Sequence, residues 1–343
     1  MTHTALKFLV VRRDNIGDLV CTTPVFQALR ERYPDARIYA LTNTYNLPVL
    51  HGNPYVDGVF AYMKAKHRDA ATSLWSVYRK RLGVILAMRR LHLDYAILAA
   101  CGFVPRALQF ARLARPRHIV GYVEPGRRAR GIDMPLQYRL ERPLHEVEDV
   151  FRILKPLGIE GAPPPLFLAP QQTEVERARA ALAQKGVSAP IAIHISARKP
   201  SNRWPTARFI DLIRRLHAQQ GGGFVLLWSP GDDKNPHHPG DDAKAAEIVA
   251  ATAGVPLVAF PTHRLEELIA MLSLARAVVC SDGGAMHIAA ALHKPIVCFF
   301  GDSDAKRWRP WGVPHAVLQK PSLKASDISV DETLAAFTRT VPA

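Results

Sequence analysis

Residues 276–311 set the tightest limit on what this chain can fold into. An apolar run, Ala277-Val278-Val279-Cys280, reads as a buried strand and ends in Ser281-Asp282-Gly283-Gly284. Residues 285–292 then read as a helix, and a second apolar strand, 295–300, closes at Gly301-Asp302. Strand, helix and strand in so short a span make a βαβ unit, which requires a parallel sheet. Two adjacent glycines at the strand-to-helix turn let a ligand approach the backbone, and the first helical N–H groups are free to meet an anion. The turn falls at the carboxyl ends of the strands, where open α/β sheets bind ligands. A purely structural turn with a capping Asp has the same local sequence, so the neighbouring segments decide.

The same alternation runs along the chain. Residues 6–12 read as a strand, 14–18 as a turn, and a helix follows to about residue 33, with Thr23-Pro24 marking an irregular first turn. Strands follow at 37–41, 59–61 and 95–100, with a basic amphipathic helix over 75–91. Lys155-Pro156-Leu157-Gly158 ends a helix, and Ala162-Pro163-Pro164-Pro165 reads as a linker. Beyond a helix at 173–185 the pattern restarts. Strands at 191–195, 224–228 and 256–260 alternate with helices at 206–219, 242–251 and 265–274. The expected fold is α/β: two Rossmann-like, doubly wound domains, 1–165 and 166–343, facing a central cleft. The fingerprint G-x-G-x-x-G is absent from both halves, which argues against a nicotinamide dehydrogenase.

Composition narrows the function. No apolar run approaches the roughly 18 residues of a membrane span, and residues 1–11 lack a secretory pattern, so a cytoplasmic protein is expected. The four cysteines, Cys21, Cys101, Cys280 and Cys298, form no C-x-x-C and read as reduced core thiols. His237-His238, with Asp232-Asp233 and Asp241-Asp242, matches no common ligand spacing and reads as a polar loop; no metal and no cofactor is expected. The net charge of +15 is uneven: residues 1–150 hold 23 Lys and Arg against 13 Asp and Glu, and residues 64–130 hold 15 against three. Solvated helix faces give such numbers, and so does an anionic partner. Nucleic acid is not expected, because no binding motif or aromatic-basic interleaving is present.

Several loops carry the candidate chemistry. Asp18, just past Gly17 at the end of the first strand, reads either as a helix cap or as a base toward a substrate hydroxyl. In the second half, His194-Ile195-Ser196-Ala197-Arg198 ends one strand, with Ser201-Asn202-Arg203-Trp204-Pro205 just beyond. A hydroxyl, free N–H groups and basic side chains there suit a diphosphate. Asp282-Gly283-Gly284 adds a second wall, with Met286 and His287 one helical turn in. Trp228-Ser229-Pro230-Gly231 ends a third strand, where it would flank a nucleobase.

With these residues in hand, the chain resembles glycosyltransferase family 9, the heptosyltransferase-like enzymes of lipopolysaccharide core assembly. The likeness rests on Arg12 to Asp18, on His194 to Arg198 with Arg203-Trp204-Pro205, on Asp282 to Ala291, and on Phe300 to Asp304 with Arg307 to Gly312. The resemblance implies a GT-B fold and an inverting, metal-independent transfer from a nucleotide sugar, most commonly ADP-heptose. It places the general base on Asp18 and donor contacts on Ser196, Ala197, Arg203, Asp282, Gly283, Gly284, Met286 and His287. Arg12, Asn15, Arg127 and Arg128 are expected on the side of an anionic glycolipid acceptor, held at the cytoplasmic surface of the inner membrane. Two residues depart from the family pattern. Gly283 replaces a Thr, and Asn202 replaces a Lys, leaving Arg203 or Lys199 to carry that charge. A same-fold transferase using another donor and a non-catalytic nucleotide-sugar-binding paralogue stay open, whereas an epimerase needs further acid/base residues.

Overall fold

The computed structural model describes residues 5–63, 74–126, 130–138, 144–232 and 240–341. It divides into two compact units, Met1–Ala169 and Pro170–Ala343. The first is built on β1 (Lys7–Val11), β2 (Arg37–Asn43), β3 (Gly58–Tyr62), β4 (Tyr95–Leu98), β5 (His118–Val123) and β6 (Met134–Gln137). The second is built on β7 (Ile191–His194), β8 (Phe224–Trp228), β9 (Leu257–Pro261), β10 (Ala277–Ser281), β11 (Ile296–Phe300) and β12 (His315–Gln319). The strands run β3-β2-β1-β4-β5-β6 in one sheet and β12-β11-β10-β7-β8-β9 in the other, all paired in parallel. Numbered within each unit, both sheets follow the doubly wound order 3-2-1-4-5-6. The direction of winding therefore reverses between β1 and β4, and again between β7 and β10, and open sheets bind ligands at such a reversal.

Burial explains why the central strands were readable. Val278, Val279 and Cys280 of β10 and Ile296 to Phe300 of β11 are wholly buried, so both faces are apolar and the sequence shows a continuous run. Trp204 anchors the C-terminal core: it stacks on Phe299 at 4.5 Å, meets Phe209 edge-on at 4.8 Å, and donates from Nε1 to the Ile328 carbonyl at 2.9 Å. That anchoring fixes the chain just downstream of β7.

The first long helix is in fact two, Ile16–Val20 and Thr23–Arg32. Pro24 supplies no N–H, and the Thr22 and Thr23 hydroxyls donate back to the carbonyls of Asp18 and Val20 at 2.8 Å each. Strands β5, β6 and β12 and the helices Pro105–Ala114 and Val330–Thr340 had no expected counterpart. Among the described residues no helix is long and apolar enough to cross a membrane.

Candidate active site

Each unit gathers polar side chains at its own winding reversal. In the first, Arg12 follows directly after β1 and is only 3% exposed. Its Nη1 donates to the Ala99 carbonyl just past β4 at 2.7 Å, so the guanidinium bridges the two strands that flank the reversal. Its Nη2 donates to Asp18 Oδ1 at 2.5 Å and to Glu146 Oε1 at 2.7 Å, and its Nε lies 3.5 Å from Asp14 Oδ2. One cation is thus shared by two buried carboxylates.

Asp18 is the third residue of the helix Ile16–Val20 rather than its cap. The cap is Asn15, whose backbone N–H and side-chain Nδ2 both donate to Asp18 Oδ2 at 2.9 Å. Burial pushes the Asp18 pKa up, but Arg12 and the two Asn15 donors outweigh it, and the carboxyl ends below its ordinary range. Burial likewise opposes the charge on Arg12, and the surrounding carboxylates more than restore it.

Arg12 and Asn15 therefore both direct donors at Asp18; Arg12 is buried, whereas Asn15 is exposed. Arg127 and Arg128 lie outside the described residues. Glu146 had no sequence signal as a site residue. It opens the helix Glu146–Phe151, where an acid is favoured by the helix dipole whatever its partner, and only the fold brings it to Arg12 across 134 positions.

In the second unit the loops after β7, β10 and β11 are tied together by a neutral side chain. Asn202, 2% exposed, donates from Nδ2 to Asp282 Oδ2 at 3.2 Å and to the Asp282 carbonyl at 3.3 Å. Its Oδ1 accepts the Gly301 N–H at 2.8 Å, and its carbonyl accepts the Ser281 hydroxyl at 2.7 Å. Gly301 is required there, since a Cβ would lie 2.3 Å from the Ser201 carbonyl oxygen. Ser196 joins the β7 and β8 loops, its Oγ accepting the Ser229 N–H at 2.9 Å.

The glycine turn is more permissive. Gly283 is extended, with φ 161° and ψ −170°, and a Cβ there would meet no atom within 4 Å. Neither backbone nor space demands glycine at this position. Gly284 begins the helix Gly284–Ala291, whose first N–H groups have no partner within the helix. Met286 is wholly buried, and His287, 3% exposed, packs edge-on against Trp308 at 5.9 Å. Trp228 is buried too and donates to Asp242 Oδ1 at 2.7 Å, which leaves Ser229 and Pro230 to present that loop outward.

Three cations, Lys199, Arg203 and Lys244, lie at these loops. Lys199 Nζ is 3.2 Å from both Asp302 Oδ1 and Ser303 Oγ. Arg203 is exposed and donates from Nε to the Ala197 carbonyl at 3.2 Å. Lys244, on the helix Asp242–Ala251, is half-buried beneath the β7 loop and donates to the carbonyls of Ile195 and Trp204 at 3.2 and 3.0 Å. Burial lowers its pKa to about 8, Asp241 opposing the shift and Arg203 adding to it. The His237-His238 loop lies outside the described residues, among which no group of three His, Cys, Asp or Glu could hold a metal ion.

Comparison with known proteins agrees with this fold. Lipopolysaccharide heptosyltransferase 3 of Escherichia coli is 27% identical over 302 residues, covering 86% of this chain and 83% of that one. A family 9 glycosyltransferase of Veillonella parvula superposes with a TM-score of 0.79 at 17% identity, over 99% of this chain and 98% of its own. The ADP-heptose lipopolysaccharide heptosyltransferase II of Escherichia coli gives 0.77 at 19%, over 98% of both chains. Both superpositions carry the two-domain GT-B fold. The model of glycosyltransferase family 9 (heptosyltransferase) matches residues 94–333, which takes in Glu146 and the loops after β7, β8, β10 and β11 but not Asp18. The chain belongs to glycosyltransferase family 9 and is a heptosyltransferase-like glycosyltransferase.

Proposed function

We propose that this protein transfers heptose from ADP-heptose to a lipopolysaccharide-core acceptor, with inversion at the anomeric carbon, without a metal, and with Asp18 as general base. The observation that carries the reading is the fixed, buried carboxylate at the reversal of the first sheet. Its two oxygens offer about four acceptor sites, of which Arg12 and Asn15 take three, so one is left for an acceptor hydroxyl. A carboxylate of lowered pKa is a weak base at rest. It serves by holding the hydroxyl in line and taking the proton late, as the oxygen bonds to the anomeric carbon and the diphosphate leaves.

The second unit supplies what the departing diphosphate needs. The opening N–H groups of the helix Gly284–Ala291, the Ser196 hydroxyl and the exposed Arg203 offer positive ends to developing negative charge. Lys244 acts one step back, by fixing the loop that carries Ser196 and Ala197. The acceptor unit is then 1–165 and the donor unit 166–343. The donor follows the name of the structurally similar heptosyltransferase II and the acceptor that of heptosyltransferase 3. An acceptor of that kind is an anionic glycolipid, met at the cytoplasmic surface of the inner membrane.

Asp18→Asn tests the reading. Transfer should fall by about 10²–10⁴-fold while ADP-heptose binding persists, and the wild-type product should show the inverted anomer by NMR. Full activity in Asp18→Asn removes the proposed base, and binding without transfer in the wild type makes the protein a nucleotide-sugar-binding paralogue. Gly283 and Asn202, both departures in the donor loops, favour a second reading with another nucleotide sugar. A thermal-shift screen of nucleotide sugars separates the two.

A further inference from the structure

The helix Leu74–Arg90 buries one side and shows an unusual face on another. Val77, Ile85 and Met88 are 3%, 7% and 0% exposed and face the core of the first unit. Trp75, Tyr78, Leu82 and Leu86 are 85%, 54%, 54% and 40% exposed. Their spacing of three, four and four places them within about 80° of one another around the helix, along roughly 16 Å of its length. Single exposed apolar residues are ordinary on a protein surface, but an unbroken aromatic and aliphatic stripe is not. Trp75, Ser76, Tyr78, Arg79 and Leu82 line a groove along it.

The charge on this helix is one-sided. Leu74–Arg90 holds five basic residues and no acid. Two of the five are engaged: Arg81 lies over the rings of Tyr62, Tyr78 and Phe110, and Arg89 donates from Nε to the Leu113 carbonyl at 2.6 Å. Arg79, Lys80 and Arg90 are exposed, and helical geometry sets Arg79 and Arg90 along one margin of the stripe. A basic-edged apolar stripe carrying Trp and Tyr has the chemistry of a helix that lies in a bilayer interface.

We propose that this face docks the protein on an anionic lipid bilayer. Trp75, Tyr78, Leu82 and Leu86 enter the boundary between headgroups and acyl chains, and Arg79 and Arg90 meet lipid phosphates. A second copy of the chain fits poorly, because a two-fold contact would press two acid-free basic helices together. Nucleic acid fits poorly as well, since Leu82 and Leu86 continue the stripe with groups on which bases do not stack. The lipid surface suits the proposed glycolipid acceptor, yet the docking face does not depend on catalysis, and the Asp18→Asn protein should bind vesicles like the wild type.

The test is co-sedimentation of the whole chain with phosphatidylcholine vesicles, with and without phosphatidylglycerol. Binding should require phosphatidylglycerol and weaken as salt rises. Lipids brominated in the acyl chain should quench part of the tryptophan emission, and Trp75→Phe should abolish that part. Trp75→Ser/Tyr78→Ser/Leu82→Ser and Arg79→Gln/Arg90→Gln should each weaken binding by about tenfold, with melting temperature and nucleotide-induced stabilisation kept. No binding to anionic vesicles, or equal binding by both variants, overturns the proposal. A dimer that the triple Ser variant dissolves assigns the face to a second copy, and RNA binding lost in that variant assigns it to nucleic acid; either result overturns it too.

Discussion

The two units share one strand order, and each gathers its polar residues at the same topological place, but they hold them by opposite means. In the first, a buried guanidinium is clamped between Asp18 and Glu146, and full charges fix the geometry. In the second, the neutral amide of Asn202, rather than a cation, joins Asp282 to Gly301. On the proposed function, the difference follows from what each has to hold still. A carboxylate that must stay ionised in a buried place needs a cation beside it. A loop that receives a diphosphate gains from open backbone N–H groups. Asn202 occupies both donor positions with Asp282 and leaves the helix terminus at Gly284 unobstructed.

The largest effect should come from breaking the charged centre. Arg12→Met keeps the stem but leaves Asp18 and Glu146 buried without their cation, and should destabilise the protein by about 3–5 kcal/mol. Asn202→Ala removes a neutral hub and orphans the Gly301 N–H, for about 1–3 kcal/mol. Urea unfolding of both variants at pH 7 measures the contrast. Equal losses would mean that the ionic knot contributes no more than an amide, and that Arg12 is better solvated than its 3% exposure indicates.

The pH dependence separates the same two places. The folded pKa of Asp18 is below its unfolded value, so its contribution is present above about 4 and is lost as pH falls through the folded pKa. Lys244 acts at the other end of the scale. Its folded pKa of about 8 is below the ordinary 10.5, so burying it charged costs stability at neutral pH. Between those two values the folded protein sheds a proton that the unfolded chain keeps, and stability rises with pH, by on the order of 2–3 kcal/mol. Lys244→Met should remove that alkaline rise, and Asp18→Asn should flatten the acid fall. Chemical unfolding across pH 3 to 10.5, buffer by buffer, reads both; an alkaline rise that survives in Lys244→Met places the lysine in solvent.

Much of the frame could be read from residues alone, and the reason is burial. The strands β10 and β11 are apolar on both faces, and their expected limits differ from the observed ones by a residue or so. The four residues of β6 alternate between half-buried and exposed and include Pro135, so no periodic signal marks them as a strand. The sites divide in the same way. Asp18 and the Asp282 turn were legible because a turn at a strand end is a local pattern. Glu146, Lys244 and the bridging role of Asn202 were not, because each acquires its meaning from a partner that only the fold supplies: Arg12, the carbonyls of Ile195 and Trp204, and Gly301.

The smallest change sharpens the comparison most finely, because it alters the neutral site without touching its hub. Gly283, in the proposed donor loop, is the position where the family pattern carries Thr, and its extended backbone and open surroundings accept a side chain as they stand. Thr is at ease in extended backbone, and replacing Gly narrows the unfolded ensemble, so Gly283→Thr should stabilise the protein by about 0.5 kcal/mol. The new hydroxyl would sit beside the first N–H groups of the helix Gly284–Ala291, one more neutral donor for a bound diphosphate. One such hydrogen bond is worth about 0.5–1.5 kcal/mol, so calorimetry should show ADP binding tightened by roughly twofold to tenfold. If Gly283→Thr gains stability while ADP affinity stays flat, the diphosphate does not rest on this turn, and the loop of Ser196 and Ala197 carries it instead. If it loses stability, the space beside Gly283 is already taken up in the folded protein, and glycine is there for packing.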